Sequence, residues 1–258
     1  MKHIAIVMMF VTCLAISAFA CDAFGIDSTY EESGLAGMGL DKSFSGLLCL
    51  TYNDSDKYVG EALNYKNGKQ EGDDVTYYEN GNVQYKLNYK NGKLEGKAIS
   101  YDENGNVQRK VNYKNGKREG DDVFYYENGN VQYKSNYKNG KHEGDDVFYY
   151  ENGNVQYKSN YKNDKLEGKA ISYDKSGYKS SECNYTNDKR EGIGYGYYGD
   201  GAVLWICNYK HNALEGKCTD YFADGHIAGT AVYKNDELVG LKHCTDGRLG
   251  NDDLNCIQ

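Results

Sequence analysis

The stretch Tyr89-Lys-Asn-Gly-Lys-Leu-Glu-Gly96 is the clearest copy of a phrase that recurs through most of this chain. The tyrosine that opens the phrase returns every 24 residues, at Tyr65, Tyr89, Tyr113, Tyr137, Tyr161, Tyr185, Tyr209 and Tyr233. A fixed period of this length is the signature of a repeat protein, in which each copy is one supersecondary unit that packs against its neighbours.

Each clean copy contains two strand-like segments bounded by turn residues. In the copy that begins at Gly72, Glu79-Asn80-Gly81 separates Val75–Tyr78 from Val83–Tyr89, and Asn91-Gly92 follows. Asn-Gly is a strong hairpin signal with either two-residue or three-residue loops. We favour three-residue loops at both turns, because a two-residue loop shifts the register by one and scatters the apolar residues over both faces.

The three-residue loops predict a definite register. They pair Tyr77 with Val83, Val75 with Tyr85 and, after the second turn, Val83 with Ile99. This register places one apolar set on a single face, namely Val75, Tyr77, Val83, Tyr85, Leu87 and Tyr89. The predicted fold class is therefore all-β, an elongated single-sheet solenoid of stacked antiparallel β-hairpins with a 24-residue repeat.

The first twenty residues differ chemically from the rest of the chain. Lys2 precedes an apolar run from Ile4 to Ala18, and Ala18-Phe19-Ala20 has the pattern of a cleavage site. Residues 1–20 are therefore predicted to be a signal peptide. The remaining segments are predicted as a flexible leader at 21–45, a repeat array at 46–241 whose first copy (46–68) is degenerate, and a cysteine-containing C-terminal cap at 242–258.

A signal peptide implies an exported protein, either periplasmic or extracellular. Lipid attachment at Cys21 stays open, because Cys21 directly follows the cleavage site but the preceding residues resemble a lipobox poorly. No other apolar run is long enough to span a bilayer. The net charge of −8 and the dispersed basic residues argue against nucleic acid as a partner.

Seven cysteines follow the signal peptide, and export permits disulfides. Cys244 and Cys256 flank a turn and are the first predicted pair. Cys21 with Cys49 is the second, because only the leader can reach Cys49. Cys207 and Cys218 also flank a turn, but the predicted register places them on opposite faces.

Carboxylates recur at the strand starts, as Asp73-Asp74, Asp121-Asp122 and Asp145-Asp146. They could serve as Ca²⁺ ligands, but we favour a solvated acidic edge, because Lys97-Ala98 interrupts the column and no EF-hand-like loop is present. No histidine pair has metal spacing, and no catalytic triad can be placed. We expect no catalytic residues, no metal and no cofactor.

Aromatic residues on the second face distinguish two adjacent copies. Phe124, Tyr126, Phe148 and Tyr150 are predicted to point away from the tyrosine columns, whereas other copies have serine and aspartate at these positions. An exposed aromatic cluster is a candidate partner site. Burial of the cluster as a second small core is the alternative.

The spacing Gly72-x4-Tyr77-x3-Gly81-x3-Tyr85-x3-Tyr89-x2-Gly-Lys-x2-Gly96 resembles the MORN repeat, and more closely its bacterial variant, over roughly residues 46–250. The copies depart from the family in being 24 residues long and in having Leu87 where a glycine is usual. The resemblance implies a ribbon of hairpins that binds proteins or membrane surfaces without catalysis. Bacterial relatives are often catalogued as YwqK-like antitoxins, but a signal peptide argues against a cytoplasmic antitoxin.

The functional hypothesis is a non-enzymatic, exported protein-binding or scaffolding module at the cell envelope. A structural surface or spacer protein that assembles through its sheet edges is the alternative, with an antitoxin-like protein as the reading that the family label implies. The partner's identity and the oligomeric state are left open by the sequence.

Overall fold

The computed structural model of the chain describes residues 43–51 and 59–244. The described part contains no helix, and hence no helix long and apolar enough to cross a membrane. The predicted signal peptide, nearly all of the leader and most of the C-terminal cap lie outside these residues. The chain divides into two compact units, Met1–Gly129 and Asn130–Gln258.

The first unit is a series of antiparallel strands in which each strand pairs with its neighbours along the chain. Its strands are β1 (Gly46–Thr51), β2 (Val59–Lys66), β3 (Lys69–Tyr77), β4 (Val83–Lys90), β5 (Lys93–Leu94), β6 (Gly96–Tyr101), β7 (Val107–Lys114) and β8 (Lys117–Tyr125).

The second unit repeats the same pattern. Its strands are β9 (Val131–Lys138), β10 (Lys141–His142), β11 (Gly144–Tyr149), β12 (Val155–Lys162), β13 (Lys165–Leu166), β14 (Gly168–Tyr173), β15 (Lys179–Thr186), β16 (Lys189–Arg190), β17 (Gly192–Tyr197), β18 (Val203–Lys210), β19 (Ala213–Leu214), β20 (Gly216–Tyr221), β21 (Ile227–Lys234) and β22 (Glu237–Cys244). The predicted all-β fold of stacked hairpins is confirmed.

The turn at Asn91-Gly92 is tighter than predicted. Both residues have positive φ, 52° and 73°, and Lys90 pairs with Lys93, so the loop contains two residues and not three. Positive φ at both central residues is the requirement of the type I′ turn, whose twist matches that of the strands. The register then shifts at Glu95-Gly96, which places Ile99 opposite Lys86. The predicted pairing of Val83 with Ile99 is wrong.

The first turn pairs Tyr77 with Val83, as predicted, but the register shifts by one residue directly afterwards. Thr76, and not Val75, lies opposite Tyr85. A bulge of this kind changes which face the following residues occupy, because side chains alternate along a strand. The predicted single apolar face is therefore wrong.

The observed register defines two faces. The Tyr89 face carries Asp74, Thr76, Tyr85, Leu87, Tyr89 and their equivalents 24 residues apart. The Tyr77 face carries Val75, Tyr77, Val83, Lys86, Asn88 and their equivalents. Both faces thus hold one tyrosine column, and neither concentrates the apolar residues.

The core is a line of small side chains along the middle of the Tyr89 face. In the first unit Leu63, Asp74, Ala98, Val111 and Asp122 are buried, and in the second Ser135, Asp146, Ser159, Ala170, Cys207, Cys218 and Ala231. These residues occupy the Asp74 and Leu87 positions, with larger side chains on both sides. A single sheet buries only this line, which explains why so few large apolar residues are fully enclosed.

Side chains of the recurring phrase join each copy to the next. Glu95 Oε2 accepts a hydrogen bond from the Asn115 backbone N–H at 2.8 Å, and Glu71 binds Asn91 in the same way at 2.6 Å. At the opposite ends of the strands, the Tyr78 hydroxyl donates to the Tyr101 carbonyl at 2.8 Å. The phrase therefore holds the stack together at its turns.

Cys207 and Cys218 form a disulfide, with Cα atoms 4.2 Å apart, and Cys183 is a free thiol. The prediction that Cys207 and Cys218 lie on opposite faces is wrong, because the turn between them follows the observed register and sets them opposite each other. Of the two predicted disulfides, Cys21 and Cys256 lie outside the described residues. Both pairings stay predictions.

Candidate binding surface

An aromatic row crosses three neighbouring strands on the Tyr89 face of the second unit. Phe148 lies opposite Tyr133 on one side and Tyr157 on the other. Its ring centroid is 4.4 Å from that of Tyr133 and 6.3 Å from that of Tyr157, and its side chain is 38% exposed. Rings at these distances attract one another and form a firm apolar surface.

A cavity of about 400 Å³ adjoins this row. Its wall contains four aromatic rings together with one amide and two hydroxyl groups, from Phe148, Tyr150, Gln156, Tyr157, Ser172, Tyr173 and Ser180. The Tyr150 hydroxyl donates a hydrogen bond to the Tyr173 carbonyl at 2.8 Å, which fixes the Tyr150 ring against the next copy. None of the lining side chains is charged, in a chain of which 26% of the residues are charged.

The cavity arises where successive copies differ in size at one position. The position of Thr76 recurs as Ser100, Phe124, Phe148, Ser172, Gly196 and Asp220. Phe148 is followed by Ser172, so a large ring stands beside a small side chain on the same face. The step from phenylalanine to serine leaves the space that Tyr157 and Tyr173 border.

Trp205 lies four strand steps from Tyr157 on the same face. It pairs with Gly196, and a Cβ atom at Gly196 would overlap the indole ring. The glycine therefore allows the indole to lie against the backbone of β17. Trp205 is half-buried in this position.

Two of the four predicted binding residues, Phe148 and Tyr150, meet at this cavity. Phe124 and Tyr126 belong to the first unit, where the Arg109 guanidinium lies 4.5 Å from the centre of the Phe124 ring. The prediction that Phe124 and Phe148 face away from all tyrosine columns is wrong, because the bulge places both on the Tyr89 face. The binding role of all four residues stays a prediction.

Sequence reasoning missed Tyr157, Tyr173, Ser172 and Trp205 as parts of one surface. The signal for three of them was present in the change from Phe148 to Ser172 and in the pairing of the only tryptophan with a glycine. Only the register shows that these residues share a face.

Three aspartates at equivalent positions are buried, which corrects the expected solvated acidic edge. Asp74, Asp122 and Asp146 are at most 4% exposed. Asp74 has an Oδ1 atom without a hydrogen bond. Burial, together with the negative charge of Glu61, raises the pKa of Asp74 to about 7.

The other two aspartates have basic neighbours. Asp122 accepts a hydrogen bond from Arg109 Nε at 2.7 Å and one from Arg118 at 3.3 Å. Asp146 Oδ1 lies 3.2 Å from His142 Nε2, outside hydrogen-bond geometry, and burial raises the pKa of Asp146. The His142 ring is stacked between Tyr137 and Tyr161, at centroid distances of 4.9 and 4.0 Å.

These acids do not gather into a metal site. Within residues 43–51 and 59–244, no group of three or more histidine, cysteine, aspartate or glutamate side chains could hold a metal ion.

Comparison with known families gives one match. Five segments correspond to the model of the MORN repeat variant, residues 70–91, 94–115, 118–139, 143–163 and 214–235. Five repeats of this chain are MORN-variant repeats. They support a repeat-based protein-binding module. The unmatched stretch between residues 163 and 214 contains Ser172, Gly196 and Trp205.

Other comparisons add little to the MORN-variant match. No curated protein matches significantly, and no named relative supports the antitoxin label. A porin-like protein from Bacteroides uniformis is 8% identical, covering 70% of this chain and 88% of its own, with a TM-score of 0.19. The Tc holotoxin pore of Photorhabdus luminescens is 10% identical, covering 72% and 13%, with a TM-score of 0.18. Such low TM-scores support no argument about fold or function.

Proposed function

We propose that this chain is a non-enzymatic, exported binding module that captures a partner protein at the cell envelope through the cavity beside Phe148. The cavity carries the proposal, because it is the place where aromatic rings, neutral polar groups and a difference between copies coincide. Interface hot spots are typically aromatic side chains that line a pocket. The MORN-variant repeats supply the scaffold, and the signal-peptide pattern supplies the location.

The repeats themselves provide the sharpest test, which is Ser172→Phe. This substitution fills the cavity with the side chain that the chain already uses at the same position in Phe124 and Phe148. Ser100→Phe is the matched control, because Ser100 also lies opposite a tyrosine, Tyr85, but in the first unit. Both variants are expected to fold.

The proposal predicts that envelope proteins captured by the wild-type chain are also captured by Ser100→Phe and are lost with Ser172→Phe. Equal capture by both variants, with unchanged circular dichroism, would exclude the cavity as the contact site. Intact mass of the exported protein tests the location, because it reports cleavage after Ala20, lipid on Cys21 and the number of oxidised thiols together.

A further inference from the structure

A shallow trough continues from the cavity across the Tyr89 face. Tyr157 pairs with Ser172, Ser172 with Ser181, Ser181 with Gly196, and Gly196 with Trp205. The three middle residues are small, and an aromatic ring stands at each end. The trough therefore has a floor of hydroxyl groups and backbone between two ring walls.

The length of the trough follows from the strand spacing. Four steps of about 4.8 Å separate the backbones of Tyr157 and Trp205 by about 19 Å. A polyproline II segment rises about 3.1 Å per residue, so about six residues reach from one ring to the other. The ligand would cross the strands instead of running along them.

The chemistry of the trough selects a neutral ligand that does not need a strand as its partner. Ser172, Ser181 and the neighbouring Gln156 carry no charge, so nothing on the floor recognises an acidic or phosphorylated motif. The surface is a sheet face, whose backbone groups are already used within the sheet, so strand addition is excluded here. Aromatic-lined grooves bind the preformed polyproline II helix, whose carbonyl groups accept hydrogen bonds from such hydroxyl and amide donors.

We infer that the trough from Tyr157 to Trp205 binds an uncharged, proline-rich segment of the partner protein in the polyproline II conformation. This inference rests on the proposed function and names the kind of partner. The chain contains no proline, so neither its own termini nor a second copy can supply the segment.

Trp205 provides a direct assay, because it is the only tryptophan in the chain. The full chain is titrated with an acetylated decaproline peptide while tryptophan emission is recorded, and a Gly-Ser peptide of equal length serves as the control. The inference predicts a saturable change with decaproline only. Ser172→Phe is expected to weaken this binding about tenfold, as for the loss of one aromatic contact site, and Ser100→Phe is expected to leave it unchanged.

Two results would overturn the inference. The first is unchanged Trp205 emission at millimolar decaproline. The second is a saturable response to a neutral hexasaccharide without any response to decaproline, since sugar rings also stack on aromatic side chains. If either occurs while Ser172→Phe still abolishes protein capture, the proposed function stands and only the ligand class is wrong. If capture is unaffected by Ser172→Phe, the proposed function fails first.

Discussion

The substitution Asp74→Ala is expected to stabilise the first unit above neutral pH. Asp74 is 4% exposed, and its pKa is raised from 3.8 to about 7. An acid whose pKa is raised on folding contributes full stability below its unfolded value and loses it as the pH rises through the folded value. The loss therefore falls between about pH 4 and pH 7.

The magnitude follows from the size of the shift. Three pKa units correspond to about 4 kcal/mol, and we discount this to about 2 to 3 kcal/mol because solvent screens part of the repulsion from Glu61. Alanine is already used at the equivalent positions Ala98 and Ala170, both of which are buried. Asp74→Ala should therefore match the wild-type stability near pH 4 and exceed it by this amount at pH 8.

Asp122→Ala is the matched control, because it makes the same change at the same position with the opposite expected sign. It removes the acceptor of the Arg109 and Arg118 hydrogen bonds, and bonds to charged groups contribute about 1.5 to 3 kcal/mol each. Urea unfolding followed by circular dichroism between pH 4 and 9 measures both variants, and hydrogen exchange of first-unit peptides assigns the change to that unit. Destabilisation by Asp74→Ala at pH 8, or parallel pH profiles for Asp74→Ala and wild type, would refute the reasoning.

Three further predictions follow from the turns and the disulfide. Replacing Cys207 and Cys218 by alanine should lower the free energy of unfolding by about 3 kcal/mol, as expected for a loop of this length, and reductant should have the same effect on the wild type in a thermal melt. Glu95→Ala removes the acceptor of the Asn115 N–H and should speed hydrogen exchange of that amide, with a loss of about 1 kcal/mol, whereas Glu95→Gln should retain most of the protection. Gly196→Ala should displace the indole that lies against it, destabilise the fold by about 1 to 3 kcal/mol and change the wavelength of tryptophan emission; unchanged emission would contradict the packing.

The 24-residue period was enough to predict the fold class, because a period with two turn signals per copy leaves little choice beyond stacked hairpins. The distribution of residues between the faces was not predictable in the same way. One register shift after Tyr77 moves Tyr85 and Tyr89 to the face opposite Tyr77. Apolar alternation cannot reveal such a shift, because Val75 and Tyr77 still alternate with Thr76 on their own strand.

The buried aspartates show why composition misleads in a single sheet. Asp74, Asp122 and Asp146 were expected in solvent because charged side chains are rarely enclosed. A thin sheet, however, encloses whatever side chain is short enough to lie between the flanking residues of its central line. Alanine, serine, cysteine and aspartate all meet this condition of size, and the neighbouring strand then determines whether the charge has a partner.

The same reasoning separates residues that hold the array together from residues that can bind. Glu95 and Tyr78 are used in joining successive copies, so their repetition reflects stacking and gives no information about a ligand. The Thr76 position makes no such joint, and its side chain is free to change from phenylalanine to serine or glycine without breaking the ladder. A difference at this position changes only the relief of the face. Selection for binding can therefore act on Ser172 and Gly196 while the surrounding repeats keep the scaffold unchanged.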